Sequence, residues 1–403
     1  MIKVPDYRFK NYTEPWEDKK LGEVSTSFSG GTPAAANKKY YGGEIPFIRS
    51  AEINSDTTEL FLTKEGLDNS SAKLVKEGDI LYALYGATSG EVGISKINGA
   101  INQAVLSIIP KNNYTSEFIM QWLRLQKKNI TDKYLQGGQG NLSGSIVKEL
   151  GIFFPTLPEQ TDIGSFFQEI DQLISLQQRK LEVLKEQKKT YLKLLFPAKG
   201  QTKPALRFAG FEDEWTEVKL GDLILRGGSG GTPKSTVAKY YGGDIPFLSI
   251  TDISNSGKYL KKTEKTITNE GLQNSSAWVV PEGAISLAMY ASVGKLAILG
   301  IDCATSQAFY NMVFEDDIVR NFVYITLEKA NIYNEWVSLI STGTQANLNA
   351  EKVKNFSFLH PNKPEQEAIG SFFQDIDKAI AKQEEKVNQL KESKQTLLRK
   401  MFI

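Results

Sequence analysis

The sequence has 403 residues, with 48 lysines and arginines against 47 aspartates and glutamates, which gives a formal net charge of +1. This length allows two or three domains with their own cores, and the balanced charge gives no support for nucleic-acid binding. The single cysteine, Cys303, excludes an internal disulfide and is expected to be a buried apolar residue. No apolar run approaches a membrane span and no signal peptide begins the chain, so we expect a soluble, cytoplasmic protein.

The first part of the chain carries short motifs rich in glycine and proline. Apolar runs at 79–85 and 104–109, closed by glycine or proline, predict strands, and the segment from Ser116 predicts a capped helix. This part is therefore expected to be a domain of mixed α and β structure. Its motifs are Trp16, Leu21-Gly22, Gly30-Gly31-Thr32-Pro33, Tyr40-Tyr41-Gly42-Gly43 and Ile45-Pro46-Phe47.

A long amphipathic helix is predicted from Pro158 to Phe196. Apolar residues recur there at alternating steps of four and three, the a/d pattern of a coiled coil. They are Ile163, Phe167, Ile170, Ile174, Leu181, Leu184, Tyr191 and Leu195. Gln177 and Lys188 occupy two positions of the same stripe, and such polar residues tend to fix register at a cost in stability. Lys199 to Phe211 is predicted to be a linker.

The second part of the chain repeats the first. Its motifs are Trp215, Leu220-Gly221, Gly230-Gly231-Thr232-Pro233, Tyr240-Tyr241-Gly242-Gly243 and Ile245-Pro246-Phe247. The stripe returns as Ile369, Phe373, Ile376, Ile380, Val387, Leu390, Leu397 and Met401, with Gln383 and Lys394 at the polar positions. The offset between the copies changes within 54–66 and 254–271, which predicts a loop of unequal length.

The two long helices are expected to pack on each other, since neither can bury its apolar stripe alone. A helix of about 38 residues is about 57 Å long, whereas the roughly 14-residue connection after Pro197 spans at most about 48 Å. This favours an antiparallel pair, with an approximate two-fold axis and one globular domain at each end. The predicted boundaries are 1–157 and 198–360 for the domains, the latter including the linker, and 158–197 and 361–403 for the helices.

The sequence lacks the residue sets of common catalytic centres. No phosphate-binding Gly-x-x-x-x-Gly-Lys-Ser/Thr is present, and Pro33 removes an N–H donor from the glycine motif. With His360 as the only histidine and one cysteine, no zinc-ligand set or Cys/His pair exists. Carboxylate-x-lysine segments such as Glu217-Val218-Lys219 arise often by chance. We therefore expect a non-enzyme that binds no cofactor or metal itself.

Polar side chains near the glycine motifs are the first candidates for a binding site. The glycines themselves are expected to shape turns. A lysine beside a tyrosine can bind phosphate, although such pairs are commonly solvated surface. The candidates are Thr32, Lys38, Lys39, Tyr40 and Arg49 in the first copy, and Thr232, Lys234, Lys239, Tyr240 and Ser249 in the second.

The duplicated motifs resemble the specificity subunit of type I restriction-modification systems. In both copies Leu-Gly, Gly-Gly-Thr-Pro and Tyr-Tyr-Gly-Gly-x-Ile-Pro-Phe lead to Pro-Glu-Gln, at Pro158 and Pro364, and then to Ile-Gly-Ser-Phe-Phe and a long helix. The resemblance covers nearly the whole chain. It implies an α+β fold of two target-recognition domains, each reading half of a bipartite, asymmetric site in double-stranded DNA.

The resemblance also implies partners. The helices would bind two modification (methyltransferase) subunits, and restriction (helicase-nuclease) subunits would join them. S-adenosylmethionine, ATP and magnesium would then belong to those partners. A rod of about 57 Å suits half-sites one to one and a half turns of B-DNA apart, since a turn is about 34–36 Å.

The duplication predicts which residues read bases. Residues identical in both copies suit scaffold or phosphate roles, whereas those that differ can read different bases. The differing positions are Arg49 against Ser249, Ser50 against Ile250 and Gly138 against Thr344. Arg49 is the preferred reader of guanine, because an arginine can bond O6 and N7 together, and Arg49→Ala is expected to relax one base position of the first half-site only. Phosphate or structural roles are predicted for Gln103, Gln139, Asn141, Gln307, Gln345 and Asn347.

Each helix has apolar residues outside its stripe. Phe166 and Leu173 in the first helix, and Phe372 and Ala379 in the second, widen the apolar face beyond what a two-stranded coil uses. This surplus either packs under the adjacent domain or binds a modification subunit. On the second reading, changing Phe166 and Phe372 to serine is expected to abolish that binding and leave a folded monomer.

Two other functions are compatible with the sequence. A scaffold with two protein-binding domains would show the same neutral charge and lack of catalytic residues. A stand-alone nuclease or methyltransferase is disfavoured, because the sequence has no Asn-Pro-Pro-Tyr-like loop and no convincing carboxylate set.

Overall fold

The structure is a computed structural model that describes residues 4–135, 141–290, 292–339 and 348–402. The chain divides into two compact units. Unit 1 comprises Met1–Arg179 and Glu384–Ile403, and unit 2 comprises Lys180–Gln383. Both boundaries fall inside the two long helices, so each unit combines one mixed α and β domain with a segment of each helix.

Unit 1 contains three small sheets among its described residues. Their strand orders are β1-β10, β2-β9-β6-β7 and β4-β3-β8-β5. The strands are β1 Glu17–Lys20, β2 Ser25–Ser29, β3 Tyr41–Ile48, β4 Phe61–Leu62, β5 Lys73–Val75, β6 Ile80–Ala83, β7 Val92–Ile94, β8 Gly99–Ile101, β9 Val105–Pro110 and β10 Gly151–Phe154. The helices are α1 Leu21–Val24, α2 Lys64–Asp68, α3 Ser116–Leu135, α4 Gly144–Lys148 and the part of α5 Leu157–Leu194 that ends at Arg179. Strands β3 and β8 are parallel, so their carboxyl ends lie at the same edge.

The core of unit 1 forms where the sequence predicts it. All four residues of β6 are buried, and the predicted strand at 104–109 and helix from Ser116 correspond to β9 and α3. Trp16, Phe118, Phe154, Phe167 and Phe402 form a connected group of rings with centroids 4.9–6.5 Å apart. Aromatic side chains from the domain, from α5 and from the end of the chain therefore share one core.

Unit 2 repeats this arrangement with one added strand. Its sheet orders are β11-β21, β12-β20-β17-β18-β14 and β15-β13-β19-β16. The strands are β11 Thr216–Lys219, β12 Arg226–Ser229, β13 Tyr241–Leu248, β14 Tyr259–Leu260, β15 Lys265–Ile267, β16 Val279–Val280, β17 Ile285–Ala288, β18 Leu296–Leu299, β19 Cys303–Thr305, β20 Phe309–Val313 and β21 Ser357–His360. The helices are α6 Leu220–Leu223, α7 Ile250–Asn255, α8 Asn269–Gln273, α9 Asp317–Ile332, α10 Ala350–Lys354 and the part of α11 Lys363–Met401 that ends at Gln383.

The segment where the two copies differ in length is more than a loop. In unit 2 its residues Tyr259–Leu260 form β14, which pairs in parallel with β18. The prediction of a simple loop is wrong here, because the added residues satisfy the open edge of β18 with backbone hydrogen bonds.

The long helices run antiparallel within each unit, as the sequence predicts. In unit 1, Phe167 of α5 packs against Phe402, which follows α11, with ring centroids 6.1 Å apart. In unit 2, Tyr191 near the end of α5 packs against Phe372 near the start of α11, at 5.0 Å. Every predicted stripe position is buried or half-buried. No helix within the described ranges has the apolar length needed to cross a membrane.

The polar stripe position of α11 forms an ion pair in unit 1. Lys394 Nζ lies 2.6 Å from Asp171 Oδ1, and the lysine side chain is 9% exposed. Arg124 Nη1 and Gln121 Nε2 of α3 each donate to Asp171 Oδ2 at 2.9 Å. Burial lowers the pKa of Lys394, although Asp171 opposes this. A single carboxylate therefore receives two cations and an amide.

The equivalent stripe position in unit 2 has a different set of charges. Lys188 Nζ lies 2.6 Å from Glu328 Oε1 and 2.8 Å from Asp377 Oδ1. A second lysine, Lys258, lies 3.7 Å from Asp377 Oδ2. Burial opposes ionisation of Lys188, but the two carboxylates outweigh it and raise its pKa, whereas burial lowers the pKa of Lys258. Burial also raises the pKa of Glu328, whose Oε2 has no hydrogen-bond partner in the described part of the chain.

The predicted linker is a copy of the start of the chain. Arg8 binds the buried carboxylate of Glu159 through two hydrogen bonds of 2.7 Å. Arg207, inside the predicted linker, binds buried Glu365 in the same way, at 2.8 and 2.7 Å. Bidentate pairs of this kind are strong and geometrically specific. Both segments are thereby attached to the first turn of the long helix in their own unit.

Candidate DNA-binding site

The glycines of the Gly-Gly-Thr-Pro motifs pack in close contact with neighbouring segments of the chain. A Cβ on Gly30 would lie 1.8 Å from the carbonyl oxygen of Ile101, and a Cβ on Gly31 would lie 1.9 Å from Ser71 Oγ. The Gly31 N–H donates to that Ile101 oxygen at 3.2 Å, and in unit 2 the Gly231 N–H donates to Thr305 at 2.9 Å. Only glycine allows this close approach. The motif therefore lies at the carboxyl ends of β8 and β19.

A threonine–glutamine pair follows each glycine pair. Thr32 Oγ1 donates to Gln103 Oε1 at 2.5 Å, and both residues are exposed. The oxygen of Ala104, next to Gln103, accepts a hydrogen bond of 2.8 Å from the Leu84 N–H. The Leu84 oxygen in turn accepts one of 2.9 Å from the Leu142 N–H. Asn141, next to Leu142, is exposed. The structure thus brings the segments that carry Thr32, Gln103 and Asn141 to one end of the sheets.

Unit 2 builds the same pair. Thr232 Oγ1 donates to Gln307 Oε1 at 2.5 Å. The Met289 N–H donates to Ala308 at 2.7 Å, and the Leu348 N–H donates to Met289 at 3.2 Å. Five residues of the predicted sites lie outside the described residues: Gly138, Gln139, Thr344, Gln345 and Asn347.

The predicted lysine–tyrosine segments precede the amino ends of β3 and β13. Lys38–Tyr40 and Ala238–Tyr240 each form a 3-10 turn, and Lys38, Lys39, Lys234 and Lys239 are exposed. The hydroxyl of Tyr41 donates to the Pro33 oxygen at 2.8 Å, which fastens the turn to the glycine motif. In unit 2, Lys239 pairs with Glu270 and lies 5.9 Å from the ring centroid of Tyr240.

Arg49 follows the carboxyl end of β3, but its guanidinium is already bonded. It donates to both oxygens of Glu52, at 3.1 and 2.8 Å, and to Glu59 at 2.6 Å. Burial opposes ionisation of Glu52, but hydrogen bonds from Arg49 and its neighbours lower its pKa to about 2. Ser249 occupies the same place in unit 2 and bonds Asp252 at 2.5 Å. Both residues cap a helical turn, and Ser50 and Ile250 beside them are half-buried.

Two pairs of a cation and an aromatic ring lie beside these sites and were not predicted. In unit 1, Lys73 Nζ lies 5.4 Å from the ring centroid of Phe28. In unit 2, the guanidinium carbon of Arg226 lies 4.2 Å from the ring centroid of Trp278. The sequence signal was available, because both copies contain an Asn-Ser-Ser-Ala segment, at 69–72 and 274–277. The residues that follow it, Lys73 and Trp278, are equivalent but differ in type.

The predicted partner-binding residues divide into covered and exposed ones. Phe166 packs against Phe9, with centroids 5.9 Å apart, and Phe372 packs against Phe208 at 5.6 Å. Leu173 is 40% exposed, and Ala379 is exposed. Leu176, which was not predicted, is 63% exposed.

Comparison with known proteins gives a consistent result. The family described as "Type I restriction modification DNA specificity domain" matches residues 13–186 and 212–392. The type I restriction enzyme MjaVIII specificity subunit of Methanocaldococcus jannaschii is 21% identical over 403 aligned residues, covering 96% of this chain and 91% of that protein. The MjaIX specificity subunit of the same organism is 31% identical over 178 residues, covering 43% of this chain and 40% of that protein.

Solved structures share the fold. The S subunit of a type I restriction-modification system from M. genitalium aligns with a TM-score of 0.63 and 16% identity, covering 100% of this chain and 99% of that one. A chain from a structure of complex assembly and conformational transition in a type I system aligns with a TM-score of 0.58 and 17% identity, covering 97% and 98%. Since the family matches span most of both copies, the chain belongs to the type I restriction-modification DNA specificity family.

Proposed function

We propose that this chain gives a type I restriction-modification complex its sequence specificity by binding a bipartite, asymmetric site in double-stranded DNA. The observation that carries the proposal is the same exposed polar site, built in both units at the carboxyl ends of equivalent strands. One site in each unit suits one half-site each. The chain itself performs no catalysis, and the complex acts on DNA in the cytoplasm.

The shared residues suit phosphate contacts. Thr32 with Gln103, and Thr232 with Gln307, have the same geometry in both units and so distinguish no sequence. Lys38, Lys39 and Lys234, which are exposed, supply charge for the backbone, as does Lys239 once its pair with Glu270 opens. Because the chain is nearly neutral, these lysines are expected to provide much of the salt dependence. Changing Lys38 and Lys39 to alanine would lower the slope of log K against log salt by about 1 per lost contact.

Base reading is assigned to positions that differ between the units. Arg49 against Ser249 and Ser50 against Ile250 remain candidates by their place at the strand ends. For Arg49 to reach a base, its guanidinium must leave Glu52 and Glu59. Gly138 against Thr344 is the third differing pair and the third candidate for base reading. The residues Gln139, Asn141, Gln345 and Asn347, which are shared or nearly so, are assigned phosphate or structural roles.

The long helices are proposed to bind two modification subunits, with restriction subunits joining the complex. In unit 1, Leu173 and Leu176 of α5 are exposed apolar side chains, whereas Phe166 packs against Phe9. Changing Leu173 and Leu176 to serine is expected to abolish co-purification with a modification subunit while the chain stays folded. Gln178→Ser, at an exposed position of the same helix, is the control. Retained binding by the double variant would remove this surface from the proposal.

The decisive experiment is methylome sequencing of a host with and without the gene. Loss of one two-part methylated motif on deletion, with its return on complementation, is expected. An unchanged methylome, together with no sequence preference of the purified complex, would contradict the proposal and favour a protein-interaction scaffold.

A further inference from the structure

We propose that the pair of a cation and an aromatic ring beside each Gly-Gly-Thr-Pro motif reads a base, with Arg226 contacting a guanine of the second half-site and Lys73 contacting the first. This assignment rests on the proposed function and names residues for it. It also replaces Arg49 as the preferred reader of guanine.

The first argument is position. Lys73 lies opposite Ile101 in the β5–β8 ladder, and the Ile101 oxygen is the one that accepts the bond from the Gly31 N–H. In unit 2, the indole N–H of Trp278 donates to the Ser229 oxygen at 3.2 Å, one residue before the glycine motif. Each pair is therefore continuous with the threonine–glutamine site of its own unit.

The second argument is the supply of hydrogen-bond donors. The other arginines of the two globular domains each form an ion pair with a carboxylate: Arg8, Arg49, Arg124, Arg207 and Arg320. Arg226 is exposed, and within the described residues its guanidinium forms no ion pair or hydrogen bond. A guanidinium that already bonds two carboxylates, as in Arg49, has few donors left, whereas Arg226 keeps all five.

The third argument is orientation. The guanidinium carbon of Arg226 lies over the Trp278 indole, 4.2 Å from the ring centroid, and this contact restricts the motion of the guanidinium without using any of its N–H donors. Less side-chain entropy is then lost when it binds a base. Two N–H donors of one arginine side chain can bond O6 and N7 of guanine together.

The fourth argument is the way in which the two units differ here. In unit 1 the cation follows the Asn-Ser-Ser-Ala segment and the ring is on β2, whereas in unit 2 the ring follows that segment and the cation is on β12. Both units therefore have a cation over an aromatic ring at this place. The cation is the ammonium of a lysine on β5 in unit 1 and the guanidinium of an arginine on β12 in unit 2. A purely structural contact gives no reason for this exchange, whereas two sites that read different sequences require such a difference.

The test uses the full chain in complex with its modification subunits and a pool of randomised DNA duplexes. The wild-type complex is expected to enrich a two-part motif. Arg226→Ala is expected to lose the preference for one guanine by about 5- to 150-fold in one half only. Lys73→Ala is expected to relax one position in the other half. Arg320→Ala, whose guanidinium is paired with Asp317, is the matched control and should leave both halves unchanged.

Arg226→Lys separates base reading from stability. It keeps a cation over Trp278 and removes the two-pronged donor edge, so the expected result is the same melting temperature with a weaker guanine preference. An unchanged motif for Arg226→Ala, or an equal loss of affinity for all sequences, would overturn the assignment. A wild-type complex that enriches no motif would instead overturn the proposed function, so the two failures are distinguishable.

Discussion

Units 1 and 2 hold their long helices with opposite charges at one equivalent position. Arg124 of α3 lies six residues after Phe118, and Glu328 of α9 lies six residues after Phe322. Each phenylalanine packs on the tryptophan of its own unit, which establishes the equivalence. In unit 1, Arg124 binds Asp171 of α5. In unit 2, Glu328 adds a second carboxylate to that of Asp377 of α11, and Lys188 pairs with both.

The difference in charge is linked to the difference in length between the copies. The segment that adds β14 to unit 2 also supplies Lys258, which lies near Asp377 and restores a second cation. An uncompensated buried charge is strongly destabilising, so a glutamate here requires such a partner. The comparison teaches that an insertion which looks like loop variation contributes to the interior of the unit.

The largest expected effect is on the stripe lysine of unit 2. Lys188→Met would leave Glu328 and Asp377 with only Lys258, and is expected to lower the free energy of unfolding by about 3 kcal/mol. Lys394→Met in unit 1 leaves Asp171 paired with Arg124, so a loss of about 1 kcal/mol is expected. Urea unfolding of the full chain measures both. Equal losses of unfolding free energy for the two variants would show that Arg124, the second cation beside Asp171, does not compensate for the loss of Lys394.

The next largest effect is expected when the glutamate of unit 2, Glu328, is introduced at the equivalent position of unit 1, Arg124. Arg124→Glu places a carboxylate beside Asp171 without the lysine that unit 2 provides, and a loss of about 2 kcal/mol is expected. Asn54 contacts Arg124 at 3.3 Å. Adding Asn54→Lys is therefore expected to recover about 1 kcal/mol. Thermal unfolding of the single and double variants measures this, with Arg124→Gln as control. No recovery would argue against compensation by a neighbouring lysine.

A smaller effect depends on pH. Burial raises the pKa of Glu328 above its ordinary value of 4.5, so the folded state binds more protons than the unfolded state just above that pH. Stability therefore falls as pH rises from 4.5 through the raised pKa. Glu328→Gln removes this loss, so its stability relative to wild type should be higher at about pH 7.5 than at about pH 4.5. A constant difference in urea unfolding at the two pH values would contradict the inference.

The smallest effect concerns Cys303. The thiol is buried in β19, and burial raises its pKa to about 12. Cys303 is therefore expected to resist thiol reagents at about pH 8 until the chain unfolds. Cys303→Ala should lower the unfolding free energy by about 1 kcal/mol in thermal melts. The equivalent residue in unit 1 is Gly99, and a side chain would not fit there, because an added Cβ would lie 2.7 Å from the Pro46 oxygen. Rapid labelling of the folded protein would refute the first expectation.

The candidate site was found only in part from the sequence. The duplication identified Thr32, Thr232 and their neighbours, because loop motifs that recur at matching positions stand out in one chain. It also selected Arg49, since an arginine in one copy at the position of a serine in the other suggests a difference in base reading. The sequence could not show that Glu52 and Glu59 occupy that guanidinium, because Glu59 approaches only when the segment after β3 folds back. For the same reason Arg226 and Trp278, which are 52 residues apart in the sequence, were not joined.

The sequence by itself determined the two copies, the two long helices, their apolar stripes and their antiparallel packing, because a stripe of fixed period must be buried and a short connection limits how the chain returns. Only the tertiary structure decided which side chains face those helices and which donors stay free. Ion pairs such as Arg124 with Asp171 and Lys258 with Asp377 join residues far apart in the chain. Their partners depend on distances of a few ångström, and no local pattern encodes those distances.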